Sequence, residues 1–180
     1  MPHIAYEVVR PDQARSCAVF ASPHSGRNYS FSFLRSTVLD GHSIRSSEDA
    51  FVDLLFNSAP HFGAPFLMAG APRAFLDLNR SRDELDPALI EGVRRQTHNP
   101  RGASGLGVIP RVVANGRSIY QGKLTLDEAR ARIATYWVPY HDMLQSLLND
   151  ARADHGQAIL VDCHSMPHEA MDGVARMGLK

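Results

Sequence analysis

Ala158-Ile159-Leu160-Val161-Asp162-Cys163-His164-Ser165-Met166-Pro167 is the stretch on which the fold turns: an apolar run that ends in four residues with polar chemistry and then a proline. Gly156 upstream and Pro167 downstream leave a run too short for a helix and rich in β-formers, which predicts a buried, central strand over residues 158–162. Side chains alternate along a strand, so Asp162 and His164 are expected on one face and Cys163 on the other. A carboxylate two residues from a histidine can fix the tautomer of that histidine or orient a neighbouring ligand. A strand end with an ordinary surface Asp and His is the competing reading, and the stretch alone leaves both open.

A second strand candidate, residues 17–21, runs into Ser22-Pro23-His24-Ser25-Gly26-Arg27 and again ends in a histidine. Open α/β sheets place ligands beyond the carboxyl ends of their strands, so two such histidines point to one site. From Ser46, capping residues and the acids Glu48 and Asp49 precede an apolar pattern at Phe51, Leu54 and Leu55, which predicts an amphipathic helix with both acids in its first turn. One of the pair serves as a cap; the other could be the anionic partner that two histidines need for an open zinc site.

Residues 66–69 predict another strand, and the alternation Phe75-Leu76-Asp77-Leu78-Asn79-Arg80 predicts one more, ending in Asn-Arg. Arg80 has the fork geometry to hold a carboxylate, and Asn79 can add a donor. Residues 81–101 read as mostly loop. The Gly-rich residues 99–107 lack the Lys-Ser/Thr ending of a phosphate loop. Residues 108–113 and 118–120 around Asn115-Gly116 read as a hairpin or a pair of edge strands. Thr125-Leu126-Asp127-Glu128 has capping-box spacing and opens the longest helical pattern, which Pro139 should kink or divide and Gly156 should end. Tyr136, Trp137, Tyr140 and His141 are read as packing side chains. Helix then strand, repeated, predicts an α/β domain with a largely parallel or mixed sheet, one domain over residues 1–180.

Composition narrows the partner. Lys plus Arg and Asp plus Glu are both 19, so no global field attracts nucleic acid or an anionic membrane, and a small molecule is expected instead. Two cysteines, Cys17 and Cys163, fit a reducing compartment, with cytoplasm as the default, and no run approaches the length that spans a bilayer.

Taken together, Pro23-His24-Ser25-Gly26, Ser47-Glu48-Asp49, Asp77-Leu78-Asn79-Arg80, Pro139-Tyr140-His141 and Asp162-Cys163-His164-Ser165-Met166-Pro167 resemble the N-formylglutamate amidohydrolase family, in order and over most of the chain. The resemblance implies a three-layer α/β/α fold like that of the zinc carboxypeptidases. It implies zinc on His24, Asp49 and His164, with Asp162 supporting the site and Asn79 and Arg80 on a substrate carboxylate. The implied reaction is hydrolysis of N-formyl-L-glutamate, or a closely related N-acyl amino acid, to formate and glutamate in histidine breakdown. Members of this family use a Glu as general base on a strand well beyond the Asp-x-His-Ser motif and are usually considerably longer, which predicts a chain short of the C-terminal part. Of the acids near the motifs, Glu48 and Glu169 could stand in, and Glu169 is the candidate of the two, although neither position resembles that of the base. A serine hydrolase through Ser25 or Ser165 is disfavoured for want of a Gly-x-Ser-x-Gly elbow, and Cys163 as nucleophile because it should face away from His164. The alternative of another class is a catalytically silent relative that binds zinc or an acidic metabolite.

Overall fold

The computed structural model describes residues 4–94 and 105–166. Its sheet has four strands, β1 (Tyr6–Val9), β2 (Ala18–Ser22), β3 (Phe66–Ala69) and β4 (Ile159–Asp162), in the order β1-β3-β2-β4. β1 runs antiparallel to β3, whereas β3 and β4 both run parallel to β2. The chain is thus α/β with a mixed, open sheet. The three parallel strands end on the same edge, where Ala21 stands opposite both Leu67 and Asp162. That edge is where the site is built.

β2 and β3 lie inside the sheet, and Val19, Ala21, Phe66 and Leu67 are buried as the apolar runs require. β1, unread in the sequence, shows the period-2 burial of an edge strand, with Tyr6 and Val8 turned inward. β4 corrects an expectation. It is not a central buried strand: among the described residues it pairs with β2 alone, and Ile159 and Leu160 are 51% and 43% exposed.

The segment between β2 and β3 holds α1 (Phe31–Ser36), capped by Ser30, and a short α2 (Val52–Leu55). α2 corrects the amphipathic helix expected from Ser46. Its N-cap Phe51 has φ 65°, so the backbone leaves the helical region just where the longer helix would run. Glu48 and Asp49 therefore precede the helix, and Val52 is buried while Phe51, Leu54 and Leu55 stay exposed.

No strand forms over residues 73–80 either. Phe75 and Leu76 donate their N–H groups to the Pro72 carbonyl in a turn, and Asp77 N–H donates to Val108 O at 2.8 Å. Leu76, Asp77 and Leu78 are all buried, so the alternation in the sequence is not a pleat with one wet face. The Asn115-Gly116 hairpin exists in minimal form, with one antiparallel bridge, Val112 to Ser118, around residues at φ 60° and 69°.

Thr125 caps α3 (Leu126–Arg132) by accepting the Glu128 N–H at 3.1 Å. A π-helical turn, Ile133–Trp137, then leads into α4 (Val138–His155). Pro139 has no N–H to give the preceding turn, and the wider turn absorbs that missing bond. α4 packs on β2 through its buried Tyr140, Leu147 and Ala151 and ends at Gly156, φ 74°. Among the described residues no helix is long and apolar enough to cross a membrane.

Candidate metal centre

The turn after β2 carries His24, which is 3% exposed. Its carbonyl accepts the Asp49 N–H at 3.1 Å, so the backbone of the β2 exit holds the acid in place. Gly26 is needed in this turn, because a Cβ there would lie 2.1 Å from the Ala71 carbonyl oxygen in the exit from β3. His164 follows β4, whose last residues are anchored by Cys163 N–H donating to Ala21 O at 2.7 Å.

These three segments bring His24, Asp49 and His164 together, with one ligand atom from each within 4.8 Å of the others. The two histidines are built alike. His24 Nε2 lies 2.7 Å from Asp77 Oδ1, and His164 Nε2 lies 3.0 Å from Asp162 Oδ2. A carboxylate accepts, so each Nε2 carries a proton; His24 Nδ1 is thereby left as a lone pair toward the centre, whereas His164 Nδ1 also faces a carboxylate and carries a proton in the metal-free protein. There, Asp49 Oδ2 stands 3.5 Å from His24 Nδ1 and 2.7 Å from His164 Nδ1. His24 Nδ1 is buried without a hydrogen-bond partner.

Electrostatics match this geometry. Burial pushes the Asp49 carboxyl up, but hydrogen bonds from His164 and His24 outweigh it and hold the group well below the usual carboxylate range. Burial likewise opposes ionisation of Asp77, and His24 and Arg73 overcome it. His164, bonded to Asp162 and then to Asp49, is raised to about 9, burial opposing. Without an ion, the His164 imidazolium lies between the Asp49 and Asp162 carboxylates and offsets part of their charge.

Asn79 and Arg80 sit beside this cluster. The Asn79 carboxamide nitrogen is 3.2 Å from His164 Nε2, and the Asn79 N–H donates to Asp77 Oδ1 at 2.9 Å. Arg80 Nε is buried without a hydrogen bond, 3.9 Å from Asp77 Oδ2. Trp137 Nε1–H donates to the Arg80 carbonyl and His141 Nε2–H to that of Leu78, both at 2.9 Å, with the two rings stacked at 3.9 Å. Trp137 and His141 therefore clamp the Asp77 loop. Burial lowers the pKa of His141, in keeping with this packed role.

Glu48 stands apart from the cluster, with Arg45 donating to its Oε1 at 3.0 Å. Glu169 lies outside the described residues, as does most of the Gly-rich stretch. Ser25 exchanges hydrogen bonds with Ser22, with no histidine in reach of its hydroxyl among them. Cys163 is buried, which pushes its thiol up to about 11, the wrong direction for a nucleophile.

Two residues were not singled out in the sequence. Asp77 stood there only as part of a motif, and its place two residues before Asn79 repeats the Asp-x-polar spacing of Asp162 and His164. Arg73 donates from Nε to Asp77 Oδ2 at 3.2 Å and lines a cavity of roughly 430 Å³ shared with Asp49, Asp77 and Ser165. No sequence pattern marks it.

A sequence model of the family described as N-formylglutamate amidohydrolase matches residues 16–177. The chain is 27% identical over 162 residues to an N-formylglutamate deformylase of Pseudomonas aeruginosa, covering 89% of this chain and 56% of that protein. It is 28% identical over 156 residues to one of Pseudomonas putida, covering 86% and 53%. The chain thus spans a little over half the length of both. A crystal structure of N-formylglutamate amidohydrolase from Ralstonia eutropha superposes with a TM-score of 0.86 at 32% identity, covering 96% of this chain and 62% of that one. A protein of Agrobacterium tumefaciens shares the fold at a TM-score of 0.63 and 16% identity, over 89% of this chain and 56% of that one.

Proposed function

The chain belongs to the N-formylglutamate amidohydrolase family, and from that premise and its histidine-aspartate cluster we propose a zinc-dependent amidohydrolase that cleaves N-formylglutamate to formate and glutamate. One observation supports this above the rest. His24 Nδ1 is buried and unpartnered, and it faces Asp49 while Asp77 holds the opposite ring nitrogen. A buried nitrogen lone pair without a donor is costly unless something fills the gap. Two imidazole nitrogens and one carboxylate oxygen suit zinc with a position left open. The chemistry such a loaded site supplies is polarisation of the scissile carbonyl and a lowered pKa for the attacking water.

The residues of the chain do the rest. Asp77 and Asp162 keep the Nε2 protons in place and so fix both rings. Asn79 and Arg80, on the loop clamped by Trp137 and His141, are the proposed holders of one substrate carboxylate. The homologues named deformylase support the choice of substrate, and neutral overall charge supports a small-molecule partner.

Among the described residues each carboxylate of the cavity is already committed: Glu48 to Arg45, Asp49 to the two histidines, Asp77 to His24 and Arg73. The general base then lies outside them, with Glu169 the candidate from this chain. The same observation favours a second reading, a relative that binds zinc and acidic metabolites without turnover. Formate release from N-formylglutamate by the zinc-loaded protein separates the two, and it should vanish in His24→Ala and His164→Ala. Hydrolysis undiminished by chelator, or in both variants, would overturn the metal-dependent reading; stoichiometric zinc with no formate would select the second.

A further inference from the structure

The cavity beside the cluster presents an electrostatic problem for the substrate class proposed above, on which this inference rests. Glu48, Asp49 and Asp77 all line it, and its other wall is largely apolar, from Leu106, Pro110 and Val112. An N-formyl dicarboxylic amino acid brings two negative charges of its own. In a confined, partly buried space like charges repel strongly, so entry requires cations placed where the carboxylates come to rest.

Among the described residues Arg73 is the one cation that lines this cavity. Its Nε is committed to Asp77 Oδ2, and its two terminal nitrogens make no hydrogen bond among the described residues. Anchoring at Nε fixes the plane of the guanidinium while leaving its outer edge as a preorganised two-toothed donor, the arrangement that suits a carboxylate. Arg80 differs. Its Nε faces the same Asp77 oxygen, but it is buried and the residue does not line the cavity. The two arginines therefore share an anchor and differ in what they can reach.

We propose that Arg73 receives the second carboxylate of a dicarboxylic N-acyl amino acid and sets the preference for acidic over neutral side chains. Losing a charge-assisted, bidentate contact lowers affinity by about 10–100-fold. Arg73→Gln should show that loss for N-formylglutamate and a change of less than about threefold for N-formylglutamine, because only the first carries the extra charge.

The test is calorimetric binding of both ligands to the zinc-loaded protein, with KM and kcat followed where turnover occurs. Arg80→Gln, outside the cavity, should leave the ratio of the two affinities unchanged, and Arg73→Lys should recover part of the lost discrimination. Zinc stoichiometry and melting temperature of each variant show whether Asp77 has moved. Equal affinity of the wild-type protein for both ligands, no measurable binding of either, or equal weakening of both in Arg73→Gln would overturn the proposal. Discrimination carried by Arg73 without any formate release would leave the proposal standing and refute the hydrolytic reading instead.

Discussion

Replacing Asp77 with Asn isolates what the buried carboxylate contributes to the centre. The substitution preserves shape, and an amide oxygen in place of Oδ1 can still accept from His24 Nε2 and Asn79 N–H, now 2.7 and 2.9 Å away. The amide nitrogen then takes the place of Oδ2 and meets the Nε–H groups of Arg73 and Arg80, which lie 3.2 and 3.9 Å from that oxygen, so donor faces donor. The negative charge that makes His24 a better electron donor is lost as well. A hydrogen bond to a charged group is worth about 1.5–3 kcal/mol. At about 1.4 kcal/mol per factor of ten, that range corresponds to roughly 10–150-fold, close to the loss of about 10–100-fold commonly seen when such supporting carboxylates are removed. Zinc affinity of Asp77→Asn, measured by competition with a chromophoric chelator, should therefore fall by about one to two orders of magnitude. Asp162→Asn should fall less, since the Asp162 side chain is 37% exposed against 3% for Asp77, and water can replace part of its role. Affinity of Asp77→Asn within twofold of wild type, or a larger loss in Asp162→Asn, would refute this account of the two histidines.

Other outcomes follow from the same structure. Arg132, the buried last residue of α3, donates to Tyr120 Oη at 2.7 Å and Phe75 O at 3.2 Å and covers the Phe75 ring; Arg132→Met should cost about 2–4 kcal/mol by chemical denaturation, and less than about 1 would refute the role. Gly26→Ala forces a Cβ against the Ala71 carbonyl, so both melting temperature and zinc affinity should drop, and unchanged zinc binding would show that the turn can shift without His24. The metal-free protein should be most stable between about pH 4 and 6.5: the lowered Asp49 and Asp77 contribute above the ordinary carboxyl value of 3.8 and fail as pH falls through their folded values, whereas the raised His164 contributes fully below 6.5 and fails as pH climbs through about 9. Melting temperatures across pH 3–10, with His164→Asn as the control that flattens the alkaline limb, check this.

Much of the fold and of the candidate site was readable because each runs through short, punctuated stretches. The three parallel strands were bounded by Gly and Pro and rich in β-formers, and the strand-to-loop histidines sit at their ends. What failed were patterns whose periodicity had another cause. Leu76 and Leu78 alternate with Asp77 and Asn79 because a loop buries two apolar side chains and turns Asp77 inward to His24, not because a sheet continues. The apolar residues after Asp49 imitate a helix face, yet the backbone is tied to the His24 carbonyl at Asp49 and turns left-handed at Phe51. Arg73 could not be singled out at all, since the opposite wall of its cavity comes from residues 106–116, more than thirty positions away.

The placement of β4 explains why Cys163 sits between Asp162 and His164, the two candidate site residues of its segment. Among the described residues β4 is held from one side only; such a strand is the easiest to slip, and a slip of one residue sends every side chain to the opposite face. In the observed register Asp162 and His164 reach the cluster and Cys163 turns into the protein, 3% exposed, with its N–H on Ala21 O. Shifted by one, the cluster would meet a thiol, and the charged imidazole would enter the apolar site that Cys163 fills, beside Tyr140. Burying an unpaired charge costs several kcal/mol, far more than one strand hydrogen bond returns. The small apolar residue thus holds His164 in register by making the alternative expensive, and the proposed metal ligand is positioned by what its neighbour cannot tolerate.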